Sequence, residues 1–457
     1  MQTVFRNFRI VDEGSDFRGS LVVQDGRILE ILDDNSVPSP LIRRRCAEAD
    51  QVLDGSRFTA RSPDLRRGKG DPSRVPVLMP AFVDLHAHFR DPGLYGEGAE
   101  PRFLAEPRFP AETLESACLA AAAGGFGTVV CMANTKPAAD TIDQARRLRR
   151  RSCSLGIIDL YPALSLTVGM EGKELSEITR LPGFSENAGE APFIRLFSED
   201  GKDLAGDGIF LAALAEARRT GVTLSCHCDL GGEDAAVERV LKLARRAAAP
   251  VHIAHVSTGK AAALIRQEKA RFRGEGGFRL SCEVTPHHLA LTGEDAATLG
   301  AETFGRVYPP LRGEDDRCSL AAAVLDGTVD AIATDHAPHT EADKAGGAPG
   351  FTGLETAFAV CYSALALPDR ISLSKLSSLM SAAPARILGL DQGSEGRGRI
   401  APGLRADLCI ASLDTEWTVD PQSFMSRGKN SPFAGKSLRG KITAMIRGGR
   451  ILFDRMA

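Results

Sequence analysis

Four of the nine histidines in this 457-residue chain close short apolar runs, where metal or acid–base chemistry would gather. His86 and His88 end Val83-Asp84-Leu85-His86-Ala87-His88, and residues two apart on a strand share a face, so both imidazoles can reach one ion. His227 ends Thr223-Leu224-Ser225-Cys226-His227, His255 ends Val251-His252-Ile253-Ala254-His255, and Asp335 ends Ile332-Ala333-Thr334-Asp335. A lone His at a strand end is more often a satisfied structural residue. Four separate strands each bringing a His or Asp to one rim are harder to dismiss. Imidazole and carboxylate suit zinc and similar divalent ions, and a catalytic site keeps a position open for water. Two neighbouring ions need a bridging anion; Asp200, in Ser198-Glu199-Asp200-Gly201, is the candidate, with Glu199 as rival and an ordinary acidic turn as the bland alternative. His252 differs from His255 in strand parity and reads as a structural residue facing the helices. His287 and His288 fit either the mouth of the site or loop packing.

These side chains need a scaffold of parallel strands. Eight β-branched runs (81–89, 127–132, 156–167, 193–198, 222–227, 251–256, 278–284 and 329–335) alternate with Ala- and Leu-rich segments such as 111–123 and 209–219. That alternation is the signature of an α/β fold, and eight repeats predict a TIM-type (β/α)8 barrel whose site lies at the strand C-terminal ends. Both termini read differently. Residues 4–10 and 20–28 alternate apolar and polar positions around an Asp25-Gly26 hairpin turn, and 406–411 and 442–451 repeat the pattern near the other end. A small β-sandwich domain formed from both termini is therefore expected. The boundaries are 1–79 and 394–457 for that domain and 80–393 for the barrel. Residues 57–76 form a polar, Arg- and Gly-rich inserted loop, and 94–109 are either a cover for the site or a surface excursion.

Composition narrows the class. Fifty-six basic against 59 acidic residues give a net charge of -3, which offers no basic surface for nucleic acid or an acidic membrane. The start Met1-Gln2-Thr3-Val4 lacks a signal-peptide pattern, and no apolar run is long enough to span a bilayer. Ten scattered cysteines, only Cys226 and Cys228 close together, argue against a disulfide framework and for a reducing cytoplasm.

Several segments together resemble the amidohydrolase superfamily, in particular the bacterial type I dihydroorotases. They are Asp84-Leu85-His86-Ala87-His88-Phe89-Arg90-Asp91-Pro92-Gly93, Met132-Ala133-Asn134-Thr135-Lys136-Pro137, Ser198-Glu199-Asp200-Gly201, His255-Val256-Ser257-Thr258, Glu283-Val284-Thr285-Pro286-His287-His288, Ala333-Thr334-Asp335-His336-Ala337-Pro338-His339 and Gly428-Lys429-Asn430-Ser431-Pro432-Phe433. The resemblance implies a zinc-dependent cyclic amidohydrolase that interconverts N-carbamoyl-L-aspartate and L-dihydroorotate in pyrimidine biosynthesis. It implies that His86, His88 and Asp335 hold one zinc, that His227 and His255 hold a second, and that Asp200 bridges them. A metal-activated water would attack the ring carbonyl, with Asp335 as general acid and base. Arg90, Asn134 and His339 would bind the substrate carboxylate. Many relatives bridge through a carboxylated lysine; the fourth strand here contains none, which points to an aspartate bridge.

Departures from the pattern bear on the substrate. Tyr308 stands where the family typically has a ring-contacting Asn, Ala133 replaces Pro, Ala81 replaces Gly, and Glu199 replaces Asp. Pro349-Gly350-Phe351 reorders the usual loop, and extra residues lie near 57–76 and 97–110. Two alternatives stay open: a related hydrolase acting on hydantoin or allantoin, and a non-catalytic partner of aspartate transcarbamoylase. The expected partner is a small-molecule substrate, with association into a homo-oligomer or with aspartate transcarbamoylase also open.

Overall fold

The computed structural model describes residues 1–58, 75–91, 111–183, 192–271 and 278–455. Most of the inserted loop at 57–76, and the excursion at 94–109 with its extra residues, lie outside them.

Strands β1 (Gln2–Val11), β2 (Asp16–Gln24), β3 (Arg27–Asp33), β4 (Gln51–Asp54) and β5 (Val77–Pro80) join β14 (Leu408–Thr418), β15 (Ser437–Arg447) and β16 (Arg450–Asp454) in one eight-stranded sheet. The order is β16-β15-β14-β5-β1-β2-β3, with β4 also paired to β1. Asp25 and Gly26 both adopt positive φ, 50° and 82°, as a two-residue hairpin turn requires, and Gln24 registers with Arg27. Strand β5 stitches the two ends of the chain together, pairing with β1 on one side and β14 on the other.

Period-two alternation gives this sheet two apolar faces. Leu78, Leu408 and Ile410 enter a core with Phe5, Ile10, Leu21, Ile28 and Ile446, whereas Val77, Met79, Cys409 and Ala411 face the larger core built on Phe82 and Phe126. Charge ties the seam as well. Asp159 is enclosed by Arg397 (2.8 Å), Arg447 (2.7 Å) and Arg405, all from the C-terminal segment.

The remaining strands are parallel. One sheet contains β6 (Phe82–Ala87), β7 (Phe126–Cys131) and β8 (Asp159–Pro162). The other orders β9 (Leu196–Ser198), β10 (Thr223–Cys226), β11 (Val251–Ile253), β12 (Leu280–Val284) and β13 (Ala331–Ile332) in sequence. Single parallel bridges, Leu164 to Phe197 and Ala87 to His336, link the sheets at both seams. Helices Leu114–Ala123, Ile142–Leu155, Asp207–Thr220, Glu233–Ala247, Gly259–Arg271 and Glu314–Leu325 run between strands. The first two begin in capping boxes, Thr113 with Ser116 and Thr141 with Gln144.

Each of the eight expected runs contains a strand, but most strands are shorter than the run. Strands β9 and β12 reach the C-terminal ends of their runs and fall short at the start, whereas β6, β11 and β13 stop short of those ends, where chain leaves the ladder to aim side chains at a common mouth. Arg90, His255 and Asp335 adopt φ of 54°, 30° and 46° there. Left-handed backbone at non-glycine residues costs about 1–3 kcal/mol each and persists only where the surroundings enforce it. Among the described residues, no helix is long and apolar enough to cross a membrane.

Candidate functional site

His86 is delivered by β6, and His88, His227, His255 and Asp335 follow the ends of β6, β10, β11 and β13; Asp200 follows β9. All six are buried. His86 Nε2 lies 3.2 Å from Asp200 Oδ1 and 3.6 Å from Asp335 Oδ1. His88 Nε2 lies 3.1 Å from Asp335, and His227 Nε2 lies 2.9 Å from Asp200. His255 Nε2 and His227 Nδ1 are 2.8 Å apart. The residues singled out from sequence therefore converge, with Asp200 between imidazoles from β6 and from the end of β10.

Two overlapping triads, His86/His227/His255 and His86/His88/Asp335, hold their potential ligand atoms within 4.8 Å of one another. The donor set is imidazole and carboxylate, the chemistry that zinc favours. His227 Nε2 is buried without an aligned hydrogen bond despite its closeness to Asp200. A buried imidazole nitrogen that sits beside a carboxylate without bonding it suits a shared cation, so the residues present fit the metal that the sequence suggests.

Burial alone would raise the pKa of Asp200, but the His88 and His227 imidazoles hold its carboxyl well below the usual range; Asp335 is likewise held down against burial by His86 and His88. Both are therefore ionised, as ligands must be. Glu199 turns away. Its carboxylate accepts from the backbone N–H of Leu166 (2.9 Å) and Thr167 (3.1 Å) and from the Thr167 hydroxyl, which fixes the segment after β8. Of the two acidic residues, Asp200 faces the imidazoles.

The remaining candidates line the approach. Asn134 spans two members of the cluster, with Oδ1 3.0 Å from His88 Nδ1 and Nδ2 donating to Asp200. Arg90 is buried, its Nε has no hydrogen-bond partner among the described residues, and Nη2 is 3.3 Å from His339 Nε2. His339 Nε2 also lies 2.9 Å from the Pro349 carbonyl, which can only accept, so Nε2 carries the proton and the Arg90 approach is a contact. Burial, then Arg90, lowers the His339 pKa to about 3, so this ring is neutral. Tyr308 is 49% exposed at the rim. The reordered loop beside it is clamped by Lys344, whose buried Nζ donates to the carbonyls of Arg306 (2.8 Å), Ala348 (2.9 Å) and Gly350 (3.0 Å). His288 is packed between Thr285 and the Pro309 carbonyl.

The reading of His252 needs correction. It points inward, with Nε2 3.0 Å from Glu283 Oε2, rather than toward the helices. Parity counted back from His255 fails because β11 ends at Ile253 and His255 has positive φ. Glu283 itself and Asp84, which binds the Thr334 backbone N–H (3.0 Å) and hydroxyl (2.6 Å), were not singled out from sequence. The available signal was an acidic residue inside an otherwise apolar strand, in register with inward neighbours.

The chain belongs to the amidohydrolase family, which residues 77–452 match. It is a cyclic amidohydrolase enzyme by that kinship. Its relatives include a dihydroorotase of Clostridium botulinum (strain Eklund 17B / Type B), 33% identical over 464 residues that span 100% of both chains. Another, from Geobacillus sp. (strain WCH70), is 35% identical over 83% of this chain and 88% of the relative. Among solved structures, the L-hydantoinase (dihydropyrimidinase) of Arthrobacter aurescens superposes with a TM-score of 0.77 at 21% identity, covering 99% of this chain and 96% of that one. At that identity the likeness shows the fold alone: a TIM-barrel-type α/β body with a β-sandwich.

Proposed function

We propose that this chain is a dihydroorotase that interconverts N-carbamoyl-L-aspartate and L-dihydroorotate as a step of pyrimidine biosynthesis in the cytoplasm. The observation that carries this reading is the end-to-end match to a dihydroorotase at 33% identity. The site supports it: beside the six-residue cluster, a buried guanidinium keeps an Nε that is unpartnered among the described residues, as a pocket for an anionic substrate needs. Hydantoin and allantoin carry no carboxylate for Arg90 to pair. The same reading divides the chain into a closed (β/α)8 barrel at 80–393 and a β-sandwich domain from 1–79 and 394–457.

In this mechanism His86, His88 and Asp335 would hold one zinc and His227 and His255 a second, with the Asp200 carboxylate available to both. A bound zinc pair supplies carbonyl polarisation and a water acidic enough to ionise near neutral pH. The chain's own groups do the rest. Asp335, held by His88, accepts the proton released as the ring amide is attacked and returns it to the departing ring nitrogen. Arg90 pairs the substrate carboxylate through parallel N–H donors. Asn134 steadies His88 and Asp200 and offers its amide to the same carboxylate. Tyr308 borders the ring at the rim. In the ring-closing direction the proton movements reverse.

A steady-state assay of carbamoyl aspartate and dihydroorotate, with and without added zinc and against hydantoin and allantoin, tests the proposal. Zinc-dependent turnover confined to the first pair is expected. Turnover of hydantoin or allantoin in its place would transfer the chain to another amidohydrolase activity. Purified protein that neither binds zinc nor turns over any of the four would revive the role of a non-catalytic partner to aspartate transcarbamoylase.

A further inference from the structure

Beneath the cluster lies a carboxylate that the mechanism above does not use. Glu283, in β12, shares strand parity with Ser281, and both side chains point to the interior of the parallel strands. Glu283 Oε1 is 3.1 Å from Nδ1 of His86, and Oε2 is 3.0 Å from Nε2 of His252. The second contact is out of line for a hydrogen bond and acts as an electrostatic brace. His252 Nδ1 lies 2.8 Å from the Ser281 hydroxyl, and the β11–β12 register sets those two residues side by side. His86, His252 and Glu283 are each 1% exposed. A continuous polar row thus runs from the metal-facing cluster through β12 to β11, buried as far as His252 and ending at the half-buried Ser281.

Two physical consequences follow. An ionised carboxylate only accepts, so the His86 nitrogen that faces it must carry the proton. With a cation bound, Nε2, 3.2 Å from Asp200 Oδ1, would then turn its lone pair into the cluster. With no acceptor behind the ring, the other tautomer would present an N–H where a cation must bind. The second consequence concerns charge. Asp200 and Asp335 offset two of the four positive charges of a divalent pair, and residual charge in a buried site is costly. Glu283 offsets a third.

We propose that Glu283 is a positioning residue of the metal centre, fixing the tautomer and ring orientation of His86, with His252 and Ser281 bracing its second oxygen. This rests on the metal-binding reading of His86 given above. Groups behind a metal-ligating histidine are typically worth about 10- to 100-fold in metal affinity.

The test is zinc affinity by chelator competition, with the visible absorption of the cobalt(II)-substituted protein as a second readout. In Glu283→Gln, zinc affinity should fall about 10- to 100-fold and the cobalt bands should shift; Glu283→Asp should recover part of the loss. His252→Asn, which leaves the His86–Glu283 contact in place, should weaken zinc by a smaller factor. If Glu283→Gln fails to fold, as circular dichroism would reveal, His252→Asn carries the test alone. Zinc affinity equal to wild type in the folded variants overturns the proposal. A wild-type protein that binds no zinc overturns the metal reading instead.

Discussion

Replacing Asp159 with Asn would probe the joint between the terminal sheet and the parallel strands. Burial raises the pKa of this carboxyl, but Arg405, Arg447 and Arg397 outweigh it and bring the value from the ordinary 3.8 down to about 2. That lowering corresponds to about 2.5 kcal/mol of stability. Because the folded pKa is depressed, that contribution is fully present above about pH 4 and is lost as pH falls through about 2. Close to half of it, about 1.1 kcal/mol, should be gone by pH 3. In the variant the arginines face a neutral amide, so neutral-pH stability should drop by about 3–5 kcal/mol, the cost of breaking a buried pair. Urea unfolding followed by circular dichroism at pH 7, 5, 4 and 3 measures both proteins. The gap between them should hold from pH 7 to 5 and narrow by about 1 kcal/mol by pH 3. A gap that does not change with pH, or a variant as stable as the parent, would refute this account of the seam.

Two functional variants complete the set. Asp335→Asn should lower kcat by at least about 10²-fold, the smaller end of what a positioned acid–base group contributes; undiminished turnover with zinc retained removes Asp335 from the mechanism. Arg90→Lys should raise KM for dihydroorotate by about tenfold, one charged hydrogen bond's worth, with kcat less affected; an unchanged KM would count against the carboxylate pairing.

Much of this architecture was legible because it rests on short-range rules. Alternation marked the terminal strands, Asp25-Gly26 marked their hairpin, and apolar runs ending in His or Asp marked the cluster. What was hidden depended on distance in sequence. Nothing local distinguishes Asp200 from Glu199: the choice is made by the backbone amides of Leu166 and Thr167, more than thirty residues earlier, which capture Glu199. The inward turn of His252 was missed because strand parity was carried past the end of β11, where the backbone at His255 resets it. The strands were overdrawn for a related reason, since a β-branched run does not reveal where its ladder stops. Lys344 reads as one more surface lysine until the loop around it is seen to bring three carbonyls to its ammonium group.

Strand β5 joins the chain's beginning to its end, and that has a bearing on synthesis. As the polypeptide emerges, Val77–Pro80 is made more than three hundred residues before its antiparallel neighbour at Leu408–Ala411. Until then β5 presents an unmated border of N–H and C=O groups on an apolar ribbon, the kind of surface that invites pairing with another chain. A translation arrest, frameshift or proteolytic cut upstream of Leu408 would leave that border open for good, so loss of the last fifty residues should show up as aggregation before it shows up as lost catalysis.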